Sequence, residues 1–243
     1  MLRSLFFQLG ASALVSLSVT ATYAQECKST VQTEALAREN TDGEVPSKAI
    51  TLDFDHFETG PVPNDFLPVL SGKGKAVDWE IRPDPTARSS PNILALISTE
   101  EGNLHFPILL YNKFAAKNVE IRVSFKAISG KSDQAAEVVA RYQDEKHFYV
   151  VRASAFENKV QLDKVVDDIR QPIKSASASV TSGKWHEMQL SVHDGDFQVC
   201  FDGTPLFEAE DDTYQRAGKV GLATKSDGVT VFDDLRIIGD KEE

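Results

Sequence analysis

The chain has 243 residues, 41% of them hydrophobic, with a formal net charge of −11 and a pI near 5.0. That acidity excludes nucleic acid and anionic membrane as main partners, since both would repel it. Two cysteines without a Cys-x-x-Cys motif exclude a thiolate zinc site, and no later apolar run reaches the roughly 20 residues of a membrane anchor.

The N-terminus reads as an address. Arg3 gives a positive start, Leu5 to Leu17 form a short apolar stretch, and Thr22-Tyr23-Ala24 offers small residues for cleavage. Residues 1–24 are therefore expected to be a secretory signal peptide, with export to the periplasm or the cell exterior. Glu26, directly before Cys27, argues against lipid attachment there. In an oxidising compartment Cys27 and Cys200 are free to pair; two free thiols are the alternative. Residues 25–48 are polar and of mixed charge, a tail or linker with at most a helical turn around Glu34 to Arg38.

From Ala49 to Asp240 the pattern is that of strands. Val119 to Lys126 alternates apolar and polar residues, the period of a strand with one buried face. The segment His186–Phe207 reads as three antiparallel strands joined by turns at Asp194-Gly195 and Asp202-Gly203. Further strands are expected at Ile50–Phe54, Val77–Arg82, Ile93–Ser98, Val138–Tyr142, Phe148–Ala153, Val160–Val165, Lys219–Thr224 and Thr230–Ile238. With no repeat of 20–50 residues and no helix–strand alternation, the fold class is all-β, a two-sheet antiparallel jelly-roll sandwich over 49–240.

Gly183-Lys184-Trp185-His186-Glu187, followed by Val192-His193-Asp194-Gly195 and Phe201-Asp202-Gly203, resembles a run found in laminin G-like and other concanavalin A-like lectin/glucanase domains. Gly218-Lys219-Val220-Gly221-Leu222 with Val231-Phe232-Asp233-Asp234-Leu235 resembles the ending of bacterial jelly rolls, among them the 3-keto-disaccharide hydrolase domain. The likeness extends from Ile50 to Gly239, including Arg141-Tyr142 and Phe148 to Arg152. It implies a role at carbohydrate but no particular one, because the scaffold also serves glucanases and adhesion modules.

Local catalytic motifs are absent. Family-16 glycosidases carry Glu-x-Asp-x-x-Glu on one strand; the nearest match here, Glu210 to Gln215, ends in an amide and reads as a solvated loop. There is no Gly-x-Ser-x-Gly elbow and no nucleotide fingerprint. An enzyme built from scattered residues stays open.

Two candidate sites remain. With the turn centred on Asp144-Glu145-Lys146, Arg141 is expected opposite Tyr149 and Val139 opposite Val151, so that Glu137, Arg141, His147 and Tyr149 share one face suited to sugar. Trp79, Asn158 and Lys164 are candidates to join it. Asp53, Asp55, Asp233 and Asp234 lie on first and last strands that commonly pair, and offer a structural calcium site; none is needed for catalysis. The expected function is an exported carbohydrate-binding module for a polysaccharide or cell-wall glycan, with a glycoside-cleaving hydrolase and a protein-binding adhesion module as alternatives.

Overall fold

The structure is a computed structural model that describes Cys27 and residues 47–75, 77–97 and 104–240. The expected signal peptide, and the expected tail apart from Cys27 and residues 47 and 48, lie outside the described residues. Within the described residues the strands are, in chain order, β1 (Ser47–Leu52), β2 (Gly60–Pro61), β3 (Phe66–Gly72), β4 (Trp79–Pro83), β5 (Asn92–Ile97), β6 (His105–Ala116), β7 (Val119–Ser129) and β8 (Ala135–Asp144). They continue as β9 (His147–Ser154), β10 (Lys159–Val166), β11 (Ile169–Ser177), β12 (His186–His193), β13 (Asp196–Phe201), β14 (Thr204–Glu210), β15 (Gly218–Ala223) and β16 (Val229–Asp240).

The strands form two antiparallel sheets. The nine-stranded sheet runs β14-β13-β12-β7-β16-β5-β4-β2, with β1 also on β16; the seven-stranded sheet runs β11-β10-β9-β8-β15-β6-β3. Alternate side chains of both sheets meet in a shared core that includes Val123, Phe125, Val138, Val151, Leu162, Leu190, Phe197, Leu222 and Phe232. This is the expected jelly-roll sandwich. The expected meander also forms: β12, β13 and β14 pair in sequence, and Asp194 (φ 49°), Asp202 (φ 48°) and Gly203 (φ 73°) take the left-handed backbone that tight hairpins need.

Cys27 is joined to Cys200 by a disulfide with a Cα–Cα distance of 6.2 Å. Val199 and Phe201 point into the core, so Cys200 faces the outer side of the nine-stranded sheet and the N-terminal segment is tethered there.

Strands β2, β3, β6 and β11 were not expected. Each contains a proline (Pro61, Pro68, Pro107, Pro172) that interrupts the strand signal. β3 and β11 are the two edges of the seven-stranded sheet, where a missing N–H costs least and blocks further pairing.

The decisive local feature is a bulge in β8. Asp144 pairs with His147, but Ala140 pairs with Tyr149 and Val139 with Val150, so three residues of β8 face one of β9. Arg141 lies inside the bulge at φ 48°. Gly218 of β15 fits against it: a Cβ there would sit 2.5 Å from the Arg141 carbonyl carbon and 2.7 Å from the Tyr142 oxygen.

Candidate functional site

The bulge overturns the expected face. Tyr149 lies opposite Ala140, and Val139 opposite Val150 rather than Val151. A one-residue slip sends every side chain of a strand to the other side of the sheet. Tyr149 is therefore inside the sandwich, its ring 4.7 Å from Phe197 and 5.1 Å from Tyr214. Its hydroxyl donates to Asp211 Oδ1 at 2.7 Å and accepts from Tyr214 N at 3.1 Å. Arg141 is fully buried. Its Nε and Nη1 donate at 2.8 Å to the carbonyls of Lys117 and Tyr214, and its Nη2 donates to that of Asp194. His147 sits at the rim, between Asp144 (2.7 Å) and Asp167 (3.3 Å). Trp79 belongs to the core, Asn158 to the β9–β10 turn, and Lys164 points inward to Asp211 at 2.7 Å. Of the four expected ligand residues, Glu137 alone stays on the outer face with the groups described next.

That outer face of the seven-stranded sheet gathers a charged cluster. Glu137 on β8 lies directly opposite Arg152 on β9, which lies opposite Gln161 on β10; Asp163 is two residues further along β10 on the same side. Arg170, on the edge strand β11, reaches back across β10 and β9. Its two terminal nitrogens donate to the Glu137 carboxylate at 2.7 and 2.8 Å. Its Cζ stands 4.0 Å from the Phe106 ring centroid on β6, five strands away in the sheet order. Such a reach requires the sheet to be strongly concave. Arg152 donates to Asp133 at 2.9 Å and to Glu157, and Lys225 and Lys159 complete the ring of charge.

The electrostatics of the cluster follow from burial. Glu137 is fully buried, as is most of Asp163. Burial pushes the Asp163 carboxyl above the usual carboxylate range, with Glu137 adding to the shift, against the Gln161 hydrogen bond and the Arg170 charge. Glu157, where burial alone would raise the pKa, is instead held at about 2 by Lys159 and Arg152. The Nε of Arg170 is buried and finds no partner among the described residues. Next to the cluster, Val139, Phe148, Val150, Val165, Ile108, Leu110 and Ala223 form an apolar strip on the same face.

The four aspartates expected at calcium do not fit one. Asp233 accepts from Arg88 N, Ser89 N, Ser89 Oγ and Asp234 N, and Asp55 accepts from Asn92 N. Asp53 accepts from Asp55 N and contacts His56. Both oxygens of Asp233 are taken by N–H and O–H donors, and one oxygen each of Asp53 and Asp55 is taken likewise; among the described residues no group of three or more His, Cys, Asp or Glu is placed to hold a metal ion. The first and last strands do pair, Ser47–Leu52 against Leu235–Asp240; what the acids hold there is the 84–92 loop.

The recurrent motifs also serve the scaffold. Trp185 donates from Nε1 to Thr86 O and lies under Lys126, 4.8 Å away. His186 Nε2 accepts from Thr181 N at 2.9 Å, so its proton is on Nδ1, which donates to Asp202 at 2.7 Å. Its ring stacks on Phe201 at 5.0 Å. Sequence reading missed Arg152 as a site residue because the register was off by one, and missed Arg170 because β11 shows no strand pattern. The alternation Phe148, Val150, Arg152 was the signal available.

Comparison with known proteins bears on this arrangement. Residues 131–240 match the family model "Galactocerebrosidase, C-terminal lectin domain". That span holds Glu137, Arg152, Asp163 and Arg170, but not Phe106. Among solved structures, a carbohydrate-binding module, CBM66, from Bacillus subtilis is similar at 14% identity and a TM-score of 0.56, covering 71% of this chain and 94% of that one. A protein of unknown function from Shewanella oneidensis is similar at 10% identity and 0.53, covering 88% and 95%. A Bacillus licheniformis beta-glucanase is similar at 10% and 0.53, covering 79% and 98%. The search of curated proteins finds no match. The fold is a two-sheet jelly roll like those of the carbohydrate-binding module and the beta-glucanase.

Proposed function

We propose that this protein is an exported carbohydrate-binding module whose ligand sits on the concave face of the seven-stranded sheet. One observation carries the reading. Glu137, Arg152, Asp163 and Arg170 converge on that face beside the Phe106 ring. Carboxylates and guanidinium groups bond hydroxyls, and an aromatic ring covers the apolar side of a sugar. The lectin-domain match and the carbohydrate-binding module of similar fold support it. Export is supported by the N-terminal sequence and by the Cys27–Cys200 bridge, which suits an oxidising compartment.

The test is a glycan array probed with the mature protein and with Glu137→Gln, in calcium and in chelator. The reading expects glycan binding by the wild type, equal in both buffers, and loss of it in the variant. Silence of the wild type on every glycan counts against it. A second reading, glycoside cleavage, is favoured by Asp163, a buried acid of raised pKa that shares its face with the Glu137 carboxylate. Turnover of array glycans or of oxidised disaccharides, lost in Asp163→Asn, would establish it.

A further inference from the structure

A cleft of about 640 Å³ lies at the other sheet, away from the face proposed for glycan. Ser191, Asp196, Gln198, Glu208 and Glu210 of β12–β14 line it, with Lys174 of β11. The register sets its floor. Leu190, Val192, Phe197, Val199 and Phe207 point into the core, so their polar neighbours in sequence point out from the nine-stranded sheet. Ser191 stands opposite Gln198, and Gln198 opposite Glu208. On its other side Ser191 stands opposite Glu120 of β7. One row across four strands therefore reads Glu120, Ser191, Gln198, Glu208. The next row sets Asp196 directly opposite Glu210.

Two features of these rows call for a cationic donor. The first is a pair of acceptors. Four buried side-chain atoms lack a hydrogen-bond partner among the described residues, and Glu120 Oε2, Gln198 Oε1 and Arg122 Nε, three of the four, belong to this face. Arg122 Nε has a Glu187 oxygen 3.9 Å away, and Arg122 Nη2 donates to Gln189 at 2.8 Å while standing 3.9 Å from Glu120. That leaves two acceptors without a donor. The Glu120 side chain is only 3% exposed, and a buried carboxylate oxygen is costly to leave unbonded. The second feature is like charge. Asp196 and Glu210 face each other on paired strands, an arrangement that destabilises a sheet. Glu208 is two residues along β14, and all three acids are exposed. Among the lining residues one lysine, Lys174, stands against them. His193, opposite Asp196, lies 3.7 Å from Asp194.

A metal ion does not meet this demand. Neighbouring strands are about 4.8 Å apart and alternate residues about 7 Å apart along a strand, too far for these acids to close one coordination sphere. Among the described residues no three are grouped to hold a metal. A ligand with several N–H cations spaced along a chain fits the same intervals. We infer that the cleft binds a linear polyamine, whose ammonium groups are separated by three or four methylenes. One ammonium lies over the small Ser191 and donates to Glu120 Oε2 and Gln198 Oε1. The next lies between Asp196 and Glu210, beside Glu208. The site is independent of the carbohydrate reading.

The probe is spermidine, titrated into the mature protein by calorimetry at low and at physiological salt. An acidic protein collects any cation loosely, so the controls match charge. Magnesium is the control cation. Glu58→Gln is the control variant, an exposed acid beside β2 at the opposite edge of the sheet. One saturable site is expected, with affinity at least tenfold lower in Glu120→Gln and in Glu208→Gln, and within twofold of wild type in Glu58→Gln. In amide spectra the Gln198 side-chain NH2 should shift with spermidine and stay in place with an equal concentration of magnesium. Glu208 is exposed, so its variant tests the site even if Glu120→Gln folds poorly. Binding that never saturates, equal losses in Glu58→Gln and Glu208→Gln, or displacement of spermidine by an equal concentration of magnesium overturns the inference.

Discussion

Arg170 and Glu137 grip one another by two parallel hydrogen bonds of 2.7 and 2.8 Å, although their strands are three apart in the sheet. The pair is the keystone of the concave face. Removing the cation leaves a fully buried carboxylate without its partner. Arg170→Ala should therefore destabilise the fold by about 3 kcal/mol, in the range for breaking a buried pair. The double variant with Glu137→Gln should recover part of that loss. Urea unfolding of the two variants measures both values.

Arg141 gives the opposite pattern. Its guanidinium holds the carbonyls of Lys117, Tyr214 and Asp194 together at the end of the sandwich, away from the charged cluster. Arg141→Ala should cost about 3 kcal/mol, because three part-buried carbonyls lose a charged donor and a fully buried side chain is removed. In conditions where the variant stays folded, glycan affinity should remain within about twofold of wild type, since nothing at the cluster changes. Melting curves alongside calorimetry separate the two effects.

Acid should loosen the same end of the molecule. Burial alone would raise the Asp211 pKa, but Lys164, Thr213 and Tyr149 hold it at about 2. A carboxylate whose pKa is depressed on folding adds stability that is full above its unfolded value and disappears as pH falls toward the folded one. The contribution, about 2 kcal/mol from the size of the shift, should fade between roughly pH 4 and pH 2. Asp211→Asn should flatten that part of the stability–pH profile, and unfolding experiments across that range record it.

The Cys27–Cys200 bridge closes a loop of sequence separation 173. Reduction, or Cys27→Ser, should lower stability by about 2–4 kcal/mol, the usual range for a native bridge. Thermal melts with and without a phosphine reductant check this, and the face proposed for glycan on the other sheet should keep its affinity.

The fold was readable because the sandwich core writes itself as alternation. Strands such as Val119–Ser129 and the β12–β14 meander carry an apolar residue at every second position, and β12 and β13 end in Asp-Gly turns. Strands β3, β6 and β11 escaped because Pro68, Pro107 and Pro172 break that rhythm; β3 and β11 carry theirs at the edges of the sheet, where a missing N–H is tolerated. The site was legible only at Glu137. Arg141 looks like a strand residue in sequence, yet it takes a left-handed φ in a bulge whose cause lies 77 residues on, where Gly218 leaves room for it. No local pattern announces such a fit, and it decides which residues of β8 and β9 face outward. Arg152 and Arg170 became visible once the register was known.

The most direct measurement is a map of backbone amide shifts in the isotope-labelled mature protein, titrated with the best-bound glycan from the array. Perturbations are predicted to cluster at Asp133, Glu137, Arg152, Asp163 and Arg170, with Phe106 and Val150 beside them. Shifts confined to the outer side of the nine-stranded sheet, around Lys126 and Trp185, with the Glu137–Arg170 pair unmoved, would contradict the account.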